Sequence, residues 1–249
     1  MAREELIGRT FVELADTLVV DYDVIEFLHL LAERCVQLLG VSEAGVVLFD
    51  AHGRLRPLAS SSERMELVEL IEVQTDDGLC LDCCRDGRPA REDDLEAATG
   101  RWPQFAPAAL DAGFRSTYAV PMRLREERIG ALNLFADRVN GLTEADQALG
   151  QAMADVATIG LLHERVLDEK TVVSGQLQTA LNSRIALEQA KGIVAEQAGV
   201  EMGEAFAMLR GHARHHNRRL GDVVAEVLNR DISADQLGAA PRTSSATGV

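Results

Sequence analysis

The sequence is short of several things, and each shortage closes off a class of protein. Aromatic residues make up 4% of its 249 residues, with a single tryptophan, so any core must be mostly aliphatic, for which a hydrophobic content of 47% leaves ample material. No apolar run reaches the ~18 residues a membrane-crossing helix requires. The opening MAREELIGRT carries acids in its first positions and no apolar stretch follows, so it does not read as a secretory signal. Only four cysteines occur, Cys35, Cys80, Cys83 and Cys84. Without a secretory signal they read as reduced thiols of a cytoplasmic protein, not as a disulfide framework. Catalytic signatures are missing as well: the phosphate-binding GxxxxGK[ST], the GxSxG nucleophile turn and the zinc motif HExxH do not appear. His29, His52 and His163 have no Ser or Cys partner in a recognisable motif, and Asp76-Asp77 and Asp93-Asp94 read as loop surface. The expectation is a protein that is not an enzyme.

Positive charge is scarce overall, yet it is unevenly spread. The chain carries a formal −15, which taken as a sum repels nucleic acid. Distribution matters more than the sum. Residues 175–230 hold seven Lys and Arg against six Asp and Glu, a balance of +1 that leaves −16 for the rest. Within that stretch, residues 205–221 contain four arginines, three histidines and no acid.

Periodicity then orders the chain. A helical pattern covers 5–20, and a second follows Asp23, a plausible N-cap, with Ile25, Leu28, Leu31, Cys35 and Leu38 on one face and Gly40 as C-cap. AGVVLFD (44–50) and LRPLASS (55–61) read as a hairpin around Ala51-His52-Gly53. Glu63 to Val73 reads as a helix. Residues 75–113, rich in Asp, Gly and Pro, read as irregular and only locally helical. Phe114 to Leu124 and IGALNLF (129–135) read as a second hairpin, with Tyr118, Val120, Met122 and Leu124 sharing a face. Thr143 and Asp146 have the form of a capping box before a long helix. Antiparallel strands with helices packed on one face predict an α+β fold. Past Gly160 the helical pattern continues, with Val166, Val173, Leu177 and Leu181 near heptad spacing, a stripe that predicts a homodimer through the connecting helix. Three shorter helices follow: one ending at Gly199, one over Met202–His216 burying Phe206, Leu209 and Ala213, and one carrying Leu220, Val223, Val224, Val227 and Leu228. The polar tail reads as disordered.

Two stretches resemble known families. ALNSRIALEQAKGIVAEQAGVEMGEAFAMLRGHARHHNRRLGDVVAEVL (180–228) resembles an ANTAR domain through Arg184, Ala190-Lys191-Gly192, Ala205-Phe206, Leu209-Arg210, Ala213, Asn217 and Leu220. Val194-Ala195 stand where many members carry Leu-Met, a departure that trims apolar side chains and touches no charge. GLCLDCCRDGRPA (78–90), RWPQFA (101–106), AGFRSTYAVPMRL (112–124) and IGALNLF (129–135) resemble a GAF domain. The pairing resembles GAF–ANTAR regulators of actinobacterial type. It implies a GAF sensor at 9–165, a helical linker or coiled coil at 166–175, a three-helix ANTAR RNA-binding domain at 176–231 and a disordered tail at 232–249. It further implies signal-responsive transcription antitermination, with the ANTAR module recognising paired RNA hairpins in transcript leaders.

The candidate RNA-binding residues are Arg184, Lys191, Gly192, Arg210, Arg214, Asn217, Arg218 and Arg219. Arg210, Arg214 and His215 or Arg218 recur along one helix about four apart and can share a surface. Guanidinium groups grip phosphates bidentately or lie on exposed bases. Arg184 and Lys191 lie two turns apart on one helix and could converge with them. Gly192 lets backbone or RNA approach closely, or merely allows tight helix packing. Asn217 has a second explanation as a helix terminator. His212, His215 and His216 lack the Cys or carboxylate neighbours of a metal site, and adjacent histidines do not share one helical face. Their partial protonation would instead add to the patch. Cys80, Cys83 and Cys84 read as buried structural thiols, as possible sensor thiols, or as ligands of iron or zinc, for which a second pair is missing. Leu81, where a bilin-binding GAF domain would carry His, speaks against bilin. No cofactor signature appears, and a small-molecule GAF ligand stays open. Two rival readings remain: a DNA-binding helix-turn-helix regulator, and a ligand-responsive protein-interaction module.

Overall fold

Asp23 starts the second helix of the chain as its pattern predicts. Its carboxylate accepts from the backbone N–H groups of Ile25 and Glu26, and α2 (Val24–Leu39) runs from there to Gly40, which ends it at φ +62. The structure is a computed structural model describing residues 3–17, 23–168, 176–216 and 218–237, with the side chains of 163–168 and 176–183 outside the description. The chain divides into two compact units, Met1–Leu181 and Asn182–Val249.

In the first unit α1 (Arg3–Thr17) precedes α2, and β1 (Glu43–Phe49) and β2 (Leu55–Ser60) form the expected hairpin, bulged between Val46 and Val47. Then come α3 (Glu63–Thr75), α4 (Leu79–Asp86), β3 (Ala90–Glu92), α5 (Phe105–Asp111), β4 (Ser116–Leu124), β5 (Glu127–Ala136) and α6 (Glu144–Asp168). The five strands make one antiparallel sheet in the order β2-β1-β5-β4-β3. Thr143 and Asp146 close the capping box of α6: each side chain accepts from the other residue's backbone N–H.

Two expectations are corrected here. Residues 75–113 carry local helix as expected, in α4 and α5, but are more ordered than expected and also contain the edge strand β3. These pieces are short, and tertiary packing holds them: Leu95, Ala98, Trp102, Phe105 and Phe114 fill the core beside Phe135. The helices also cover both faces of the sheet, not one. On β5, Ala131 and Phe135 join the core under α3, α4 and α5. Leu134 points the other way, toward Gly150 of α6 and Leu39 of α2. Being covered twice, β5 is buried from Ile129 to Ala136, which is why it reads as a continuous apolar run rather than an alternating one. On β4 burial likewise takes both faces from Ser116 to Met122, whereas Leu124 is exposed.

The second unit contains α8 (Met202–His215) and α9 (Leu220–Asn229), which follow α7 (Gln176–Ala198). Leu187, Ala190, Val194, Ala205, Leu209, Ala213, Leu220, Val223, Val224 and Val227 are buried apolar side chains of its three helices, while Phe206 is only half-buried. Residues 232–237, expected to belong to a disordered tail, are ordered instead. A 3-10 turn at Ala234–Leu237 buries both its end residues, and the Ala234 N–H donates to Gln197 Oε1 at 3.0 Å. Residues 238–249 lie outside the described residues, as does the coiled-coil stripe Val166, Val173, Leu177 and Leu181 as far as its side chains are concerned.

Candidate functional site

The acid-free stretch falls mostly on α8. Arg210 and Arg214, one helical turn apart, sit half-buried and exposed respectively. Arg210 lies over the Phe206 ring, its Cζ 5.5 Å from the centroid. Lys191 of α7 approaches the same ring, Nζ at 6.0 Å. Lys191 is 9% exposed, and Glu188 holds its ammonium with oxygens at 2.9 and 3.0 Å. A buried ammonium is tolerated when paired in this way, and the contact of Lys191 with α8 is its approach to the Phe206 ring. Arg184 is half-buried on α7. Gly192 has open space around it: a Cβ built there meets nothing within 4 Å. Tight helix packing therefore does not explain this glycine.

The row of basic residues ends sooner than helical spacing predicts. Because α8 stops at His215, Arg218 leaves the register of Arg210 and Arg214. Its guanidinium is clasped by Glu226 of α9 at 2.7 and 2.5 Å, and its backbone N–H donates to Ala213 O. That side-chain pairing raises the Arg218 pKa and lowers that of Glu226. Arg219 is exposed at the N-cap position of α9. Asn217 lies outside the described residues.

His212 and His216, four residues apart, bring their rings within 4.3 Å, and the adjacent His215 meets His216 edge-on at 5.0 Å. Burial lowers the His212 pKa and the neighbouring His216 lowers it further, so His212 adds less charge near neutrality than an ordinary histidine. Among the described residues no group of three or more His, Cys, Asp or Glu is placed to hold a metal ion.

In the first unit, Cys80, Cys83 and Cys84 all sit on α4 as buried free thiols. Burial pushes each upward, Cys84 to about 12, so the reactive thiolate is suppressed at all three.

Beside them lies a cluster that sequence reasoning missed. α3 turns Glu69 and Glu72 inward, both fully buried, and leaves Leu67 and Leu70 outside, 62% and 40% exposed. Glu69 accepts from Ser60 Oγ and from Asn133 Nδ2, each at 2.9 Å. Glu72 Oε1 accepts from the Cys80 backbone N–H at 2.6 Å. Among the described residues, Glu72 Oε2 and Asn133 Oδ1 accept no hydrogen bond that meets ordinary geometry. Burial raises the Glu72 pKa to about 8 and the Glu69 charge adds to the rise, so Glu72 is a neutral acid at pH 7. Two glycines make the room. A Cβ at Gly45 would come within 2.4 Å of Glu69 Oε1, and one at Gly78, whose φ is +154, within 2.3 Å of Glu72. The one signal in the sequence is ERMELVELIEVQT itself, a helix whose apolar residues form no single stripe.

Comparison with known proteins follows the division into two units. The GAF domain family matches residues 21–162 and the ANTAR domain family residues 175–228. No curated protein matches the sequence. Among solved structures, the fold resembles the GAF domain of an Acinetobacter phosphoenolpyruvate-protein phosphotransferase, with TM-score 0.53 and 13% identity over 69% of this chain and 98% of that one. It also resembles free methionine-R-sulfoxide reductase of Neisseria meningitidis, solved with its substrate, with TM-score 0.52 and 17% identity over 66% and 91%. A third is the GAF domain of the corresponding phosphotransferase of Coxiella burnetii, with TM-score 0.50 and 14% identity over 66% and 96%. At these identities the likeness is one of fold.

Proposed function

This chain belongs to the GAF domain family and carries an ANTAR domain behind its GAF domain, and from that premise we propose that it is a signal-responsive antitermination regulator that binds paired RNA hairpins. GAF domains are sensors and ANTAR domains are RNA-binding antitermination modules, so the pairing is a regulatory arrangement. Among the described residues no helix is long and apolar enough to cross a membrane. The protein acts in the cytoplasm, where transcripts emerge. As a homodimer joined through the connecting helix, with the GAF domain at 9–165, the linker at 166–175 and the ANTAR domain at 176–231, it presents one module to each hairpin loop. Binding stabilises the two-hairpin element against a competing terminator, and a signal at the GAF domain shifts the population between two arrangements of the modules.

The observation that carries this reading is the Arg210–Arg214 row on a helix without acids after Glu204, in a chain of net charge −15. Arg184, Lys191, Gly192, Asn217 and Arg219 border it in sequence or structure, and Arg218 contributes through its grip on α9. Loop bases offer stacking faces and free edges that a rigid duplex hides. A mobility-shift comparison of a two-hairpin RNA with duplex DNA of equal length tests the reading. Tight retention of RNA alone supports it, and equal retention of DNA would instead make this a helix-turn-helix DNA binder. Replacing Arg210 and Arg214 by Ala should weaken RNA binding and lower the slope of log affinity against log salt by about two. A partner protein whose binding survives that double substitution, with RNA never retained, would favour the interaction-module reading.

A further inference from the structure

Beneath α3 the space between helix and sheet is already filled by Glu69 and Glu72, but at the end of the same layer the first unit opens into a cleft of about 870 Å³. Four arginines from three elements stand around it: Arg54 and Arg56 on and beside β2, Arg85 at the end of α4 and Arg128 on β5. Phe49, Leu55, Val73 and Leu81 give it apolar walls. The volume is that of a small-molecule site, and the composition follows the usual pattern of apolar walls with a few directed polar groups.

The arginines are unequally neutralised. Arg85 is matched by Asp76 at 2.7 Å. Arg54 and Arg56 divide one oxygen, Asp50 Oδ2, at 3.2 and 3.3 Å, which leaves one cation over. Arg128 meets no carboxylate within 4 Å among the described residues. Its Nη1 donates to the carbonyls of Cys84 and Arg85, at 2.9 and 2.6 Å, so its Nε and Nη2 are uncommitted. The guanidinium stem passes over Gly87, where a Cβ would come within 3.2 Å of its Cδ. Arg128 is thus held in place by backbone while keeping the Nε and Nη2 donors, a pre-set fork for an anion. Asp76 and Glu126 also line the cleft, which disfavours polyanions and leaves room for a single anionic head.

We propose that this cleft binds a small organic anion, a carboxylate or phosphate head on Arg56 and Arg128 with an apolar body against Phe49, Leu55, Val73 and Leu81. This rests on the reading of the first unit as the part that receives a signal, and it names the chemical class of that signal. Because Arg128 also holds the last turn of α4, an anion drawn onto it acts on α4 and on β5 together.

Titration calorimetry and thermal shift on the full chain, without RNA, test the proposal with four probes: phenyl phosphate, inorganic phosphate, phenol and benzylamine. Phenyl phosphate should bind and raise the melting temperature, inorganic phosphate should bind more weakly, and phenol and benzylamine should bind least. Arg56→Gln, which leaves Arg54 on Asp50, should weaken phenyl phosphate by about tenfold, and adding Arg128→Gln should weaken it further. The proposal fails if phenyl phosphate gives no binding, if any other probe binds as tightly, or if its affinity in Arg56→Gln stays within about twofold of the parent. Should the double variant not fold, Arg56→Gln decides alone. RNA retention by the same protein is scored separately, so loss of the anion site and failure of the RNA reading leave different records.

Discussion

A carboxyl group sealed between a helix and a sheet holds its proton more tightly than one in an unfolded chain, and Glu72 is in that position. Its pKa is raised from 4.5 to about 8. Between those values the folded protein keeps a proton that the unfolded chain has released, so this group's contribution to stability falls as pH rises through the interval. Urea unfolding at pH 6 and pH 8.5 should therefore show the parent losing stability at the higher pH. Glu72→Gln should remove that loss, by an amount of the order of a few kcal/mol. A parent no less stable than Glu72→Gln at pH 8.5 would contradict the assignment. Gly78→Ala acts on the same spot from the other side: it forces a Cβ against Glu72 at a φ of +154, and should destabilise by about 2 kcal/mol or more. Gly192→Ala makes the opposite case. With open space at the site, alanine should stabilise α7 by up to about 1 kcal/mol. If RNA approaches the backbone there, the same change should weaken RNA retention, and a stabler protein with unchanged retention would remove Gly192 from the interface.

At the scale of elements, how much was legible depended on how local each cause was. Asp23, Gly40, and Thr143 with Asp146 are caps whose chemistry acts within a few residues, and each ends or starts a helix where its pattern predicts. β3 and the bounds of α4 and α5 were not legible, because residues such as Phe105 are fixed by partners far along the chain, Phe135 among them. α3 was recognised as a helix but not oriented, since its inward face mixes Met65 and Val68 with Glu69 and Glu72. On α8 the arginine row is legible as far as Arg214. It fails at Arg218, where the turn after His215 and the Glu226 carboxylate decide the outcome. Replacing Glu226 by Ala should release that guanidinium. Weaker RNA retention in Glu226→Ala would make the clasp a positioning contact, and stronger retention would make it a restraint on a cation that can reach phosphate.

The whole molecule joins two units with separate cores, a sheet layered between helices and a short helical module. If the two are energetically independent, heating should give two transitions, and Gly78→Ala should lower one and leave the other in place. A single merged transition that moves as a whole would show coupling between sensor and module without any ligand. The one tryptophan is placed to separate these cases. Trp102 is 3% exposed in the sensor core, with its indole N–H directed to Asp82 and Arg101 stacked over its ring. Its ultraviolet emission therefore reports from the first unit, and a change in that light when RNA is added would show that RNA binding is felt there.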